Sequence, residues 1–191
     1  MRSLVADLLF DFSAGLSELN VRWYLFGARA AILYGVARLT ADVDVTVHLP
    51  HGVSTEALVQ SVERRGFHRR FTEPGFIERT RVIPLVHTAS TIPLDVVLAG
   101  PGLEDQFLER ALSRSIDGVE VPVASAEDLI VMKVLAGRPK DLDDIVAIVI
   151  AQAGALDEPY VRAALRAIQD ALGQSDLLPV LDAALSRAAS V

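Results

Sequence analysis

The stretch Gly27-Ala-Arg-Ala-Ala-Ile-Leu-Tyr-Gly-Val-Ala-Arg-Leu-Thr-Ala-Asp-Val-Asp44 decides how the rest of this chain is read. It follows an apolar run, Val21–Phe26, that reads as a short buried strand broken by Gly27. Ala28–Tyr34 then reads as a helical segment closed by Gly35. Asp42–Leu49 alternates strictly between polar and apolar residues and predicts a strand. Asp42 and Asp44 leave one face of that strand, while Val43, Val45 and Val47 leave the other and enter the core. Neighbouring carboxylates repel, and one tends to stay protonated. A hard divalent cation removes that penalty, since Mg²⁺ is held by one or two carboxylates together with phosphate oxygens. A solvated Asp-x-Asp face is the plainer alternative.

Two further features bear on the choice. Gly27 stands at a strand-to-helix turn, where bare backbone can approach a phosphate; a tight turn needs glycine just as much. Asp95 interrupts the apolar run Ile92-Pro-Leu-Asp-Val-Val-Leu-Ala99, where an unpaired charge is costly to bury. It either faces water or shares a site with other charged groups. Three carboxylates on two strands suit two-metal phosphoryl or nucleotidyl transfer.

Outward from this region, residues 3–19 carry apolar side chains at helical spacing, and a further helix is expected from Ser54 or Thr55 to about Arg65. Residues 67–72, 77–87 and 92–99 predict strands, 103–113 a helix, and 119–123 a short strand. From Ser125 onward the pattern is helical throughout, over 125–136, 141–153, 158–172 and 176–189. The expected fold is α+β. Residues 1–124 would form a mixed β-sheet flanked by helices, and 125–191 an all-helical C-terminal region packed on it.

Composition narrows the classes. At 191 residues and 51% hydrophobic, the chain can bury a real core. It has no cysteine, which excludes a disulfide framework or a thiolate metal site. Asp7 and Asp11 interrupt the only candidate leader run, and no stretch approaches the ~18 apolar residues of a membrane span. A soluble cytoplasmic protein without membrane contact is expected. A net charge of −7 argues against a broad phosphate-binding surface. One local basic patch stands out, with Arg64, Arg65, Arg69, Arg70, Arg79 and Arg81. A solvated loop face is its bland reading.

At this point the residues resemble a known group. Gly27–Asp44 resembles the Gly-Ser/Gly-Gly and Asp-x-Asp signature of the DNA polymerase β nucleotidyltransferase superfamily, and Asp95 resembles its third carboxylate. Arg38-Leu-Thr-Ala-Asp-Val-Asp44 is similar to the Arg-x-Thr-x-Asp-x-Asp form of small bacterial members. Ser125–Asp144 is similar to a motif of the AbiEii-like nucleotidyltransferases, a group that includes toxins of toxin–antitoxin systems.

The resemblance implies a nucleotidyltransferase with Mg²⁺ (or Mn²⁺) at Asp42, Asp44 and Asp95. It implies substrate contacts from Gly27, Ala28, Arg38, Thr40, Lys133 and Asp141. Lys133 would reach the nucleoside triphosphate; as a bare residue it reads equally as a snorkelling surface lysine. Asp141 reads equally as a helix N-cap, and Asp144 as a partner of Arg138 or Lys140. Ala28 departs from the family pattern, since it removes a possible hydroxyl contact to phosphate. Arg29, directly after, reads either as a compensating phosphate contact or, more plainly, as an ordinary exposed helix residue.

The leading expectation is metal-dependent transfer of a nucleoside monophosphate to RNA, protein or a small molecule. An RNA substrate or an antitoxin partner would follow from the toxin group. The alternative is an inactive module of the same fold that binds nucleotide, RNA or a protein.

Overall fold

The computed structural model describes residues 2–190. Its contacts divide the chain into two units, one running to Arg29 and resuming over Thr40–Ala124, the other made of Ala30–Leu39 and everything from Ser125. No local sequence signal marks Ala30–Leu39 as part of the second unit.

The first unit begins with α1 (Leu4–Ser17), whose cap Ser3 accepts a hydrogen bond from the Ala6 N–H at 3.3 Å. Then come β1 (Arg22–Phe26), α2 (Gly27–Leu33), which crosses the unit boundary, and β2 (Val43–His48). Next are α3 (Thr55–Glu63), β3 (Phe67–Arg69), α4 (Phe76–Thr80), β4 (Val82–His87) and β5 (Pro93–Leu98). The unit closes with α5 (Leu103–Arg110), β6 (Leu112–Ile116) and β7 (Val119–Val123). Leu8, Leu9, Phe12 and Leu16 make the buried stripe of α1, and Phe12 meets Trp23 and Phe67 edge-on at 5.4 and 5.8 Å. α1 packs closely on α3 at Gly15, whose carbonyl accepts from the buried Ser61 hydroxyl at 2.9 Å.

Among the described residues the sheet has seven strands in the order β3-β4-β5-β2-β1-β7-β6. β2 runs parallel to β5 and β1 parallel to β7; the other pairs are antiparallel. This order sets the two motif strands side by side. Val43, Val45, Val47, Leu94 and Val96 are fully buried, and this core fixes which way the intervening aspartates face.

Two local expectations are corrected. The expected strand over 77–87 begins with the helix α4, entered through Gly75 at φ 74° and left through Arg81 at φ 56°. The Thr80 hydroxyl donates to the Phe76 carbonyl and accepts from the Val82 N–H, so it stops the helix and starts β4. The expected helix over 103–113 stops at Arg110, because Leu112–Ile116 pairs antiparallel with β7. The turn between them is Asp117-Gly118, both at positive φ, a two-residue hairpin signal present in the sequence.

The second unit contains α6 (Ala126–Ala136), α7 (Pro139–Ala151), α8 (Glu158–Leu172) and α9 (Leu177–Ala188). Ser125 caps α6 by accepting from the Asp128 N–H, and Gly137 ends it at φ 61°. Pro139 opens α7, where its missing N–H costs nothing. Ile130, Ile145, Ile148, Val161, Leu165 and Leu181 are fully buried, and Tyr160 donates to Asp128 at 2.7 Å. Among the described residues no helix is long and apolar enough to cross a membrane.

Candidate functional site

In the first unit, Asp44 is the register partner of Phe26 on one side and of Asp95 on the other. The two aspartates therefore lie directly across from each other on adjacent parallel strands and leave the same face of the sheet. Both are half-buried. Gly27 follows β1 at φ 69°, and a Cβ built on it would fall on the Asp44 carboxylate. The glycine is thus required twice, by its backbone conformation and by the carboxylate it leaves room for. Ala28 sits beside it in the first turn of α2.

Asp42 lies one residue before β2, and the Thr40 hydroxyl donates to its Oδ1 at 2.5 Å. Arg29 is half-buried rather than exposed: it donates to the carbonyls of Thr40 at 3.0 Å and Asp42 at 3.3 Å. Arg29 therefore holds the backbone that presents Asp42, a role that sequence reading missed because backbone acceptors carry no side-chain signature. Asp95 is engaged by the Arg70 guanidinium. His48 pairs with Asp105 at 2.8 Å, and the buried His87 lies between Ser90 and Asp11.

Among the described residues, no three carboxylates or imidazoles are gathered closely enough to hold a metal ion by themselves. The donor chemistry still fits a hard cation of the Mg²⁺ kind. Such a cation is satisfied by one or two carboxylates with substrate oxygens, and Asp44 and Asp95 offer hard oxygens side by side. Asp42 lies two residues before Asp44 on the same chain segment, with its carboxylate bonded by Thr40.

In the second unit, Lys133 is 5% exposed, not a surface lysine. Its Nζ donates to Asp144 at 2.5 Å and lies 3.5 Å from Asp141. Asp144 also accepts from Arg38 at 2.7 Å, so its partners are Lys133 and Arg38 rather than Arg138 or Lys140. Asp141 reaches back from the first turn of α7 to the N–H and guanidinium of Arg138. Burial opposes the charge on Asp141, but the Arg138 hydrogen bonds and the charges of Arg138 and Lys133 outweigh it. The carboxyl therefore titrates below the ordinary aspartate range. A cleft of about 420 Å³ lies beside Arg38, Lys140, Asp143 and Asp144.

Every arginine of the basic patch has an acceptor, the six of them sharing four carboxylates and backbone carbonyls. Glu18 takes Arg64 and Arg65, Glu56 takes Arg69, Glu73 takes Arg79, and Asp95 takes Arg70. Arg81 donates to the carbonyls of Leu98 and Ala99. The Arg65, Arg64 and Ser61 hydrogen bonds hold Glu18 down at about 2. Phosphates would have to displace these partners, which disfavours a polyanion track.

The profile of a family described as "Nucleotidyltransferase of unknown function (DUF6036)" matches residues 12–174. No curated protein matches the chain in sequence. Among solved structures, the antibiotic-resistance factor ANT(2'')-Ia in solution is similar at 20% identity, over 91% of this chain and 97% of that one, with a TM-score of 0.60. ANT(2'')-Ia in complex with adenylyl-2''-tobramycin is similar at 20% identity, over 86% of this chain and 98% of that one, with a TM-score of 0.58. An antigenic nucleotidyltransferase-like protein from Paracoccidioides brasiliensis gives 20% identity, 95% and 94% coverage, and a TM-score of 0.57. These likenesses establish a common fold, a mixed sheet with helices.

Proposed function

Because the chain belongs to the nucleotidyltransferase family DUF6036, we propose that it moves a nucleoside monophosphate from a nucleoside triphosphate to an acceptor hydroxyl, with Asp42, Asp44 and Asp95 at the reacting centre. The observation that carries this reading is the register of Asp44 against Asp95. A divalent cation bound there would supply electrostatic stabilisation of the charge that builds up on the transferred phosphate and the departing pyrophosphate. On this reading Asp95 would complete the cation site or take the proton from the acceptor hydroxyl as its oxygen attacks the α-phosphorus. Gly27 leaves room for the Asp44 carboxylate and presents bare backbone beside it. Thr40 and Arg29 hold Asp42 in position, one through its carboxylate and the other through its carbonyl.

Lys133, Arg38 and Asp141 are assigned to nucleotide binding on the strength of the family motif. Their clustering supports this, with three cations, Lys133, Arg38 and Arg138, sharing two aspartates. Every patch arginine already has an acceptor, which weighs against an extended RNA track and leaves a small molecule or a short nucleotide as the acceptor on this reading. The AbiEii-like, toxin-type assignment rests on Ser125–Asp144 alone.

A second reading, a binding module without turnover, is favoured by Ala28 alone. Calorimetric titration of the four ribonucleoside triphosphates with Mg²⁺ tests the proposal, comparing wild type with the double variant Asp42→Asn, Asp44→Asn. Binding that needs both cation and aspartates is expected. Equal binding by the double variant would sink the reading.

A further inference from the structure

Residues 70–81, between β3 and β4, form a lobe that contributes nothing to the core: α4 buries no residue. The lobe is nevertheless pinned at many points. Arg79 bonds Glu73 and the Pro74 carbonyl, Phe76 N–H bonds the Glu73 carbonyl, and Arg81 bonds the carbonyls at the end of β5. An ordered segment without a packing role is where binding residues are usually placed.

Its apolar content is two aromatic rings. Phe71 is 56% exposed and lies 5.9 Å from the half-buried Phe76, ring to ring. Arg70 stands 5.7 Å over the Phe71 ring while its guanidinium engages Asp95. The exposed ring is therefore joined to a reacting-centre carboxylate through one side chain. The lobe's three arginines all have acceptors, so it does not ask for phosphate. What an exposed aromatic pair with an adjacent guanidinium accepts is a flat, uncharged π-system.

We propose that Phe71 and Phe76 form a stacking site for a nucleobase beside the Asp44–Asp95 centre. The inference rests on the nucleotidyl-transfer reading, and the base belongs either to the donor triphosphate or to the end of a nucleotide acceptor.

The test uses Phe71→Trp in the full chain. Trp23, the chain's one tryptophan, is buried, so the added indole reports separately. Quenching by nucleoside triphosphate with Mg²⁺, but not by inorganic tripolyphosphate, is expected and assigns the site to the donor base. Quenching by a tetraribonucleotide alone assigns it to the acceptor. Phe71→Ala should weaken binding of the quenching ligand by at least about fivefold and leave tripolyphosphate binding unchanged. If calorimetry detects Asp44-dependent triphosphate binding but neither probe quenches, the stacking site is overturned and the proposed function stands. If no triphosphate binding depends on Asp44 and nothing quenches, both fall. A concentration-dependent indole shift without ligand would assign the rings to a second copy of the chain and overturn the proposal.

Discussion

Asp44 on β2 and Asp95 on β5 are register partners on adjacent parallel strands, although 50 residues of chain lie between them. Asp95 is shared with Arg70, whose side chain is 29% exposed. A cation bound as proposed would have to compete with that guanidinium. Asp44→Asn should weaken Mn²⁺ binding by more than about tenfold. Arg70→Ala should tighten it, but by at most about fivefold, because a partly exposed ion pair is worth only ~1 kcal/mol. Free Mn²⁺ measured by electron paramagnetic resonance reads both. An unchanged affinity in Asp44→Asn would remove the centre from consideration.

Gly27→Ala tests the second requirement of the same centre. The backbone at φ 69° costs a non-glycine residue ~1–2 kcal/mol, and the new methyl collides with the Asp44 carboxylate. Gly52 is the matched control, with φ 86° and nothing within 4 Å of a built Cβ. Both alanine variants should lower Tm by about 2–8 °C. Only Gly27→Ala should weaken Mn²⁺ and nucleotide binding. Equal ligand binding by the two variants would show that the carboxylate moves aside freely.

The parts of this centre that could be read in advance are those where a charge breaks an apolar pattern. Asp42, Asp44 and Asp95 stand out for that reason, and the alternation of Val43, Val45 and Val47 gave the face of Asp44. What could not be read is which groups hold them. Arg29 acts on carbonyls, which carry no side-chain signature. In the second unit, separately, Arg38 meets Asp144 across 106 residues. The mixed sheet was legible because β2 alternates and β1 and β5 are short apolar runs bounded by turn signals. β6 was not, since it is mostly exposed and carries no buried face, although Asp117-Gly118 marked its hairpin. α4 was misread because five residues are too few to show a helical period.

The Lys133 cluster separates a structural from a binding role. Asp144→Ala leaves the buried ammonium with Asp141 at 3.5 Å as its remaining carboxylate, and should cost ~3–5 kcal/mol. Lys133→Met removes the cation and keeps an unbranched apolar side chain in its place. Arg38 still serves Asp144 and Arg138 still serves Asp141, so this loss should be smaller, under ~2 kcal/mol. Urea denaturation reads stability and calorimetry reads nucleotide binding. A folded Lys133→Met that no longer binds triphosphate supports the assigned role; full binding by that variant would make the lysine purely structural.

Asp141 supplies a pH dependence whose sign follows from its partners. Its carboxyl is held below the ordinary value of 3.8 in the folded chain, so folding favours the charged form. The stabilisation is complete above the unfolded pKa and is lost as pH falls through the folded one. Asp141→Asn lacks this contribution at every pH. Wild type should therefore be the more stable at pH 7, and the two should converge as the pH drops below about 4. Glu18 titrates in the same acid range but is common to both proteins, so it cancels from the difference. Urea midpoints from neutral pH into acid measure the convergence. Parallel curves would mean that the ion pairs around Asp141 add nothing net, with the cost of burying its charge offsetting Arg138 and Lys133 in full.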